Sequence, residues 1–297
     1  MKKKKIELFD VINVLLVLLI TVIVVYPLYF CVIASFSEPN EVALGNTLLW
    51  IKGFTTEAYE YVFQEEQIWI GYRNSIIYTV LGTIYNLILT IPLAYALTKK
   101  YLPFRNLISW YFFLTMYFAG GMIPTYMVVK YLGLINSPWI MIIGSGVSAY
   151  NLIVTRQFFD NSIPEDLYEA AYIDGASELK CFFSIAMPLA KPIIAVMALY
   201  YGTTHWNSYY NALLYIRDKA LQPLQLVLKN ILMSNELAMG AMENADADTI
   251  AYLVRRAEMA QGMKYAIIFI ASAPLLAAYP FIQKYFTKGV MIGAVKG

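Results

Sequence analysis

The sequence predicts an all-α membrane protein of six membrane-spanning helices, and three observations carry that prediction. Of 297 residues, 60% are hydrophobic and 14% charged, whereas a soluble domain is about a quarter charged. Six charge-free windows of span length follow one another along the chain. One polar stretch, Ser162 to Pro192, falls between two of them, and its side chains Glu165, Asp166, Glu169, Asp174 and Glu178 would each be costly at membrane depth. The chain reads as a single transmembrane domain over residues 1–297.

The windows are 11–37, 74–98, 106–129, 131–155, 192–216 and 265–283. The first is too long for a signal-peptide core and lacks a small-residue cleavage site, despite Lys2 to Lys5 before it. On one side of a six-span arrangement fall those lysines, then Lys99, Lys100 and Arg105, then Arg156, Lys180 and Lys191, then Lys284, Lys288 and Lys296. The other side carries Glu38, Glu41, Glu57, Glu60, Glu65 and Glu66 against Lys52 in its first loop. The positive-inside rule then puts both termini, and the 162–192 loop, in the cytoplasm of a bacterial cell.

Span one is apolar on every face, the pattern of a helix that touches lipid or neighbouring helices and lines no water. The segment from Glu38 to Tyr72 is expected to hold a short helix near Thr56 to Gln64, with Thr56 as cap and Tyr59, Val62 and Phe63 as its stripe. Spans two to five carry the irregularities: Pro92, Gly120, Gly121, Pro124, Pro138, Gly144 and Gly146, with amides and hydroxyls between them. Small residues and prolines let helices approach and bend, and buried polar groups need partners or water, so these spans suggest a bundle with a wettable interior. Its candidate pathway residues are Tyr85, Asn86, Tyr117, Asn151, Trp206, Asn207 and Tyr210. Amides beside aromatic rings suit a sugar, whose C–H faces stack while its hydroxyls bond; at an outer interface the same rings equally form an anchoring belt.

His205 is the only histidine, so a multi-histidine metal site is ruled out and a packed, hydrogen-bonded ring is expected. Cys31 and Cys181 have no metal-ligand company and read as structural. The net charge of +2 offers no basic face for nucleic acid. Residues 217–262 form the longest external loop, with an apolar stripe at Leu224, Leu228, Ile231 and Leu232, and the chain closes in a glycine-containing tail without helix signals.

The 162–192 loop has its own local code. Ser162 and Glu165 are spaced as a capping box, with Pro164 tolerated in the first turn; the helix should run to about Asp174 and stop at Gly175. Ser177 caps a second helix reaching Met187, with Pro188 and Pro192 breaking or restarting it. Within this code, Glu169-Ala170-Ala171, Asp174-Gly175-Ala176, Ile185 and Pro188 resemble the EAA loop of permease subunits of ATP-binding-cassette (ABC) importers. Met187 stands where that pattern usually has Leu.

Nearly the whole chain resembles the shorter permease subunit of carbohydrate importers of the maltose-transporter type. GGMIPTYMVVKYLGLINS from Gly120 and YPFIQKYFTKGVMIGAVKG from Tyr279 are similar to permeases for complex oligosaccharides served by lipoprotein binding proteins. The resemblance implies a type I importer permease fold and alternating access. It also implies a second permease in a pseudo-two-fold pair, two copies of a cytosolic ATPase, and an extracellular solute-binding protein delivering oligosaccharide. Glu169, Ala170, Ala171, Asp174 and Gly175 would lie in the coupling helix that docks on the ATPase. ATP and Mg would be bound by that partner, because this chain has no G-x-x-x-x-G-K-[ST] stretch and is expected to bind no cofactor and perform no catalysis. A permease for another polar solute such as a peptide is the alternative. A membrane-embedded enzyme is disfavoured by the lack of a nucleophile, base or metal cluster inside the spans, and a secondary transporter by the lack of ionisable midplane residues.

Overall fold

A computed structural model describes residues 8–240 and 263–277 together with Pro280 and Gln283. Every regular element among them is helical: α1 (Leu8–Ser35), α2 (Pro39–Ala43), α3 (Glu57–Gln64), α4 (Glu66–Ala96), α5 (Arg105–Tyr117), α6 (Met122–Tyr131) and α7 (Pro138–Ile143). There follow α8 (Ala149–Ser162), α9 (Glu165–Ile173), α10 (Glu178–Leu189), α11 (Lys191–Trp206), α12 (Tyr209–Tyr215), α13 (Leu224–Gly240) and α14 (Met263–Ala277). Among the described residues two helices, α1 and α4, are each long and apolar enough to cross a membrane; counting each bent pair α5–α6 and α10–α11 as one broken span raises the number to four. The expected tail beyond 284 and the loop residues 241–262 lie outside the described residues.

The chain forms two compact units, residues 1–68 with 228–274 and residues 69–227 with 275–297. In the first, α1 is exposed along its apolar length and buries only Ile33, Ala34 and Ser35 near its end. Aromatic contacts hold that end. Tyr59 of α3 stacks on Phe36 at 4.8 Å between ring centroids, meets Phe269 of α14 edge-on at 6.5 Å, and shares a 2.6 Å hydrogen bond with Ser35. Thr56 precedes α3 as expected, but its hydroxyl donates to the Glu60 carboxylate and caps no backbone N–H. Of the expected stripe, Val62 is buried and Phe63 is exposed.

The second unit has two cores. One joins the end of α4 to α8, α9, α10 and α11 through Ile91, Tyr95, Leu152, Phe159, Tyr168, Phe182 and Met197. The other joins the start of α4 to α6, α7, α12 and the first turn of α13 through Tyr78, Val129, Met141, Tyr215 and Leu226. Asn136 clasps this second core. It adopts φ 56, which its short polar side chain tolerates. Its N–H donates to the Tyr215 carbonyl at 2.7 Å, and its Oδ1 accepts from the backbone N–H groups of Arg217 at 2.9 Å and Asp218 at 2.8 Å.

Three expected spans are broken helices, the window 192–216 among them, where α11 ends at Trp206 and α12 begins at Tyr209. Between α5 and α6 the chain turns by 118° at Phe118–Gly121, where Gly121 takes φ 87, open to glycine without strain. The window 131–155 holds α7 and the start of α8, separated by Gly144 to Ser148 with Gly146 at φ 30. Ser148 restarts the helix, its hydroxyl accepting from Asn151 N–H at 3.4 Å. The α10–α11 bend of 77° falls at Ala190, between the two prolines expected to cause it.

Candidate functional site

The polar loop folds as a helical hairpin, α9 and α10. Glu165 and Asp166 occupy the first turn of α9, where carboxylates offset the positive end of the helix dipole. At its end Gly175 takes φ 77, Gly175 N–H donates to Tyr172 at 3.0 Å and Ala176 N–H to Ala171 at 2.9 Å, the double closure of a left-handed glycine stop. Ser177 caps α10 on Lys180 N–H. The expected capping box is absent. Ser162 is the last residue of α8, and Pro164 flanks α9, because the residue before a proline, here Ile163 at φ −117 and ψ 110, is driven out of the helical region.

Glu169, Ala170, Asp174 and Gly175 are exposed on the hairpin, whereas Ala171 is half-buried and packs on the first core. The two alanines therefore divide their roles: Ala170 leaves a low outer surface and Ala171 lets α9 sit close to the body. Ile173, 87% exposed, and Leu179, 71% exposed, flank the motif with unburied apolar surface.

A cationic box ties this hairpin to the end of α4. Lys99 Nζ lies 3.7 Å from the ring centre of Tyr168, 4.5 Å from that of Tyr95 and 5.8 Å from that of Tyr172, and donates to Tyr172 Oη at 3.3 Å. Glu178 accepts from Tyr95 Oη at 3.2 Å and from Tyr172 Oη. Burial lowers the Lys99 amine from its ordinary value, offset in part by Glu178. Burial alone would raise the Glu178 carboxyl, but hydrogen bonds from Tyr101 and Tyr172 and the Lys99 charge outweigh it and leave the carboxyl below the usual range. Outside the box, Lys100 pairs with Glu165 at 2.9 Å in full view of solvent.

Farther along α11 lies a cleft of about 630 Å³, lined by Ser145, Ser148, Asn151, Leu199, Tyr200, Tyr201, Thr203, Thr204 and Asn207. Tyr201 Oη shares a 2.7 Å hydrogen bond with Thr90 and accepts from Ser148 N–H at 3.2 Å, fixing the floor. Behind it, Asn86 is fully buried; its amide donates to the Gly146 carbonyl and its Oδ1 lies 2.6 Å from His205 Nε2, whose Nδ1 is 3.1 Å from the Met141 carbonyl. Gly82 makes room for that imidazole, since a Cβ there would lie 2.4 Å from the ring.

Of the expected pathway residues, the structure brings Asn151 and Asn207 into the cleft lining and puts Asn86 in the layer behind. Tyr85 is half-buried on α4 and outside the lining. Trp206 is buried, its ring 6.3 Å from that of Tyr72. Tyr210 is exposed and donates to Met122 Sδ at 3.0 Å, and Tyr117 is exposed at the end of α5. The other lining residues, Ser145, Ser148, Leu199, Tyr200, Tyr201, Thr203 and Thr204, are not among those expected from the sequence. A signal existed: Tyr200, Thr203, Thr204 and Asn207 recur at helical spacing and share one face. No group of three or more His, Cys, Asp or Glu placed to hold a metal occurs among the described residues.

Residues 68–292 match the family described as binding-protein-dependent transport system inner membrane component. The chain is 41% identical to Protein LplC of Bacillus subtilis (strain 168), over 97% of this chain and 95% of that one. It is 38% identical to the polygalacturonan/rhamnogalacturonan transport system permease protein YtcP of the same organism, over 92% and 93%. A crystal structure of a bacterial ABC transporter involved in the import of the acidic polysaccharide alginate has a chain that matches with a TM-score of 0.82 at 30% identity, covering 96% of this chain and 99% of that one. The hairpin, the broken spans and these likenesses converge: the chain belongs to the binding-protein-dependent transport system inner membrane component family and is an ABC importer permease of the type I fold.

Proposed function

We propose that this chain is one of two permeases in a pseudo-two-fold pair that moves oligosaccharide inward by alternating access, driven by two copies of a cytosolic ATPase that bind ATP and Mg. Both termini and the α9–α10 hairpin face the cytoplasm in this reading, and a binding protein delivers the sugar on the opposite side. The observation that carries it is the exposed motif face of α9, Glu169, Ala170, Asp174 and Gly175, backed by the Lys99 box. Glu169 is free to pair with a basic side chain of the ATPase, and Ala170 permits close approach. Force applied to α9 passes through Tyr168 and Tyr172 to Lys99 and the end of α4.

Gly175→Pro tests the coupling. Proline cannot adopt φ 77, so the turn must change while the spans keep their sequence. Uptake should fall about tenfold or more while the assembly retains ATP hydrolysis; uptake at the wild-type rate would reject the assignment of the hairpin.

The cleft supports a hydroxyl-rich cargo. Its lining offers hydroxyls, two tyrosine rings and two amides, with no formal charge among the described residues. Thr204→Val with Asn207→Leu should lower sugar uptake several-fold, by removing groups that each contribute about 1 kcal/mol, and leave basal ATP hydrolysis unchanged. Uptake of neutral and acidic oligosaccharides, measured side by side on this variant, defines the cargo the cleft serves.

A further inference from the structure

His205 takes no part in the coupling hairpin or in the lining of the cleft, yet its surroundings ask for a donor at both ring nitrogens. The ring is 5% exposed. Its Nε2 faces Asn86 Oδ1 at 2.6 Å and its Nδ1 faces the Met141 carbonyl at 3.1 Å, and both oxygens are acceptors. A neutral imidazole carries one N–H, so it satisfies one of them and turns a lone pair on the other. Turning over the Asn86 amide gives no relief. Its NH2 group donates to the Gly146 carbonyl, and the reverse orientation would set two carbonyl oxygens against each other there.

The imidazolium would satisfy both oxygens, but a buried cation needs a counter-charge. In the stretches that build this site, residues 74–98, 137–155 and 192–216, the other titratable side chains are all tyrosines, neutral at physiological pH. A cation held there without an anion is strongly disfavoured. With the cleft empty, the ring therefore has one proton too few for its hydrogen bonds, while a second proton would be one too many for its surroundings. The cleft is where an anion can approach. His205 belongs to the layer directly behind its wall: Thr204 beside it, Tyr201 one turn before it and Asn207 after it line the cleft, and Gly146, which holds Asn86, sits between the lining residues Ser145 and Ser148.

We propose that His205 is a specificity-determining residue of the cargo passage, taking a proton from solvent when a carboxylated oligosaccharide enters the cleft. The charge so gained, held behind the lining by Asn86 and Met141, favours that cargo over its neutral counterpart. The proton completes the hydrogen bonds of the ring and the carboxylate supplies the missing counter-charge, so each makes the other less costly. Opposite charges separated by one layer of side chains attract more strongly here than in water, because the surroundings are poorly polarisable. This role rests on the cleft being the passage for oligosaccharide, and it names the class of sugar preferred, one bearing uronic acid residues.

The intact transporter with its binding protein, in proteoliposomes, tests it with short oligouronates and their uncharged methyl esters as the two probes. Binding-protein affinity for each probe, measured alone at each pH, is divided out. The ratio of acid to ester uptake should rise about tenfold from about pH 8 to about pH 6. His205→Gln, which keeps one donor and one acceptor but takes no proton, should flatten that rise. A merely structural ring would change both uptakes together and leave the ratio level. A level ratio in the natural chain overturns the role of His205 and leaves the cargo reading standing, and so does an unchanged slope in the variant; uptake of neither probe rejects both. Should His205→Gln fail to assemble, calorimetry of the natural assembly in two buffers of different ionisation enthalpy counts the protons directly. Net proton uptake with the acid and none with the ester supports the role, and equal counts overturn it.

Discussion

The hairpin end of the second unit and its cleft use opposite kinds of polar chemistry. At the hairpin a lysine sits among three tyrosine rings and a carboxylate closes the box, so full charges hold α9 against α4. In the cleft the groups are neutral, and two polar side chains tie the layer behind it together: Asn86 through His205 and Gly146, Tyr201 through Thr90 and Ser148. Charged contacts gain strength as they are desolvated and break all at once, which suits a joint that must transmit load. Neutral hydroxyls and amides hold a sugar without trapping it, which suits a passage.

Three substitutions would break or sharpen that contrast, beginning with the largest effect. Gly82→Ala forces a Cβ against the His205 ring, which Asn86 and Met141 leave no room to swing. It should cost about 1–3 kcal/mol, visible as a lowered melting temperature of the purified assembly together with lost uptake. A wild-type melting curve would show that the neutral layer is loose and remove half of the comparison.

Lys99→Met keeps the apolar stem among the rings and removes the charge, losing about 1–2 kcal/mol of cation–π attraction. Uptake per ATP hydrolysed should fall with little change in the amount of assembled transporter. The same joint should respond to pH. Since the folded Glu178 carboxyl titrates below its unfolded value, its contribution is complete above about pH 4.3 and is lost as pH falls through the depressed value. Lys100→Ala marks the small end of the scale. Its pair with Glu165 is 76% and 64% exposed, so melting and coupling should shift by no more than about 0.5 kcal/mol, and a larger change would mean that solvent-exposed charge also carries load.

Much of this was legible before any coordinates. Absence of charge located α1 and α4, because spanning helices tolerate so little of it. Gly175, Ser177 and the prolines around Ala190 fixed the hairpin turn and the bend into α11, since each acts on its own backbone. What stayed hidden was interaction over distance. Lys99 meets Tyr168 and Tyr172 across some seventy positions of sequence, and neither end carries a mark of the other. The breaks at Phe118–Gly121 and Gly144–Ser148 had visible glycines, but a glycine in a spanning helix serves packing as readily as interruption. Ser162 misled because its spacing to Glu165 was right while Pro164, one residue nearer, had already decided where the helix begins.

The clasp at Asn136 has a consequence for biogenesis. A ribosome releases this asparagine some eighty residues before Arg217 and Asp218 exist, so the backbone groups that must hold its side-chain oxygen are made long after it. Until then Asn136 lacks these partners, and α7 is without this fastening. Closure of that core through Asn136 therefore cannot precede synthesis of the segment that follows α12.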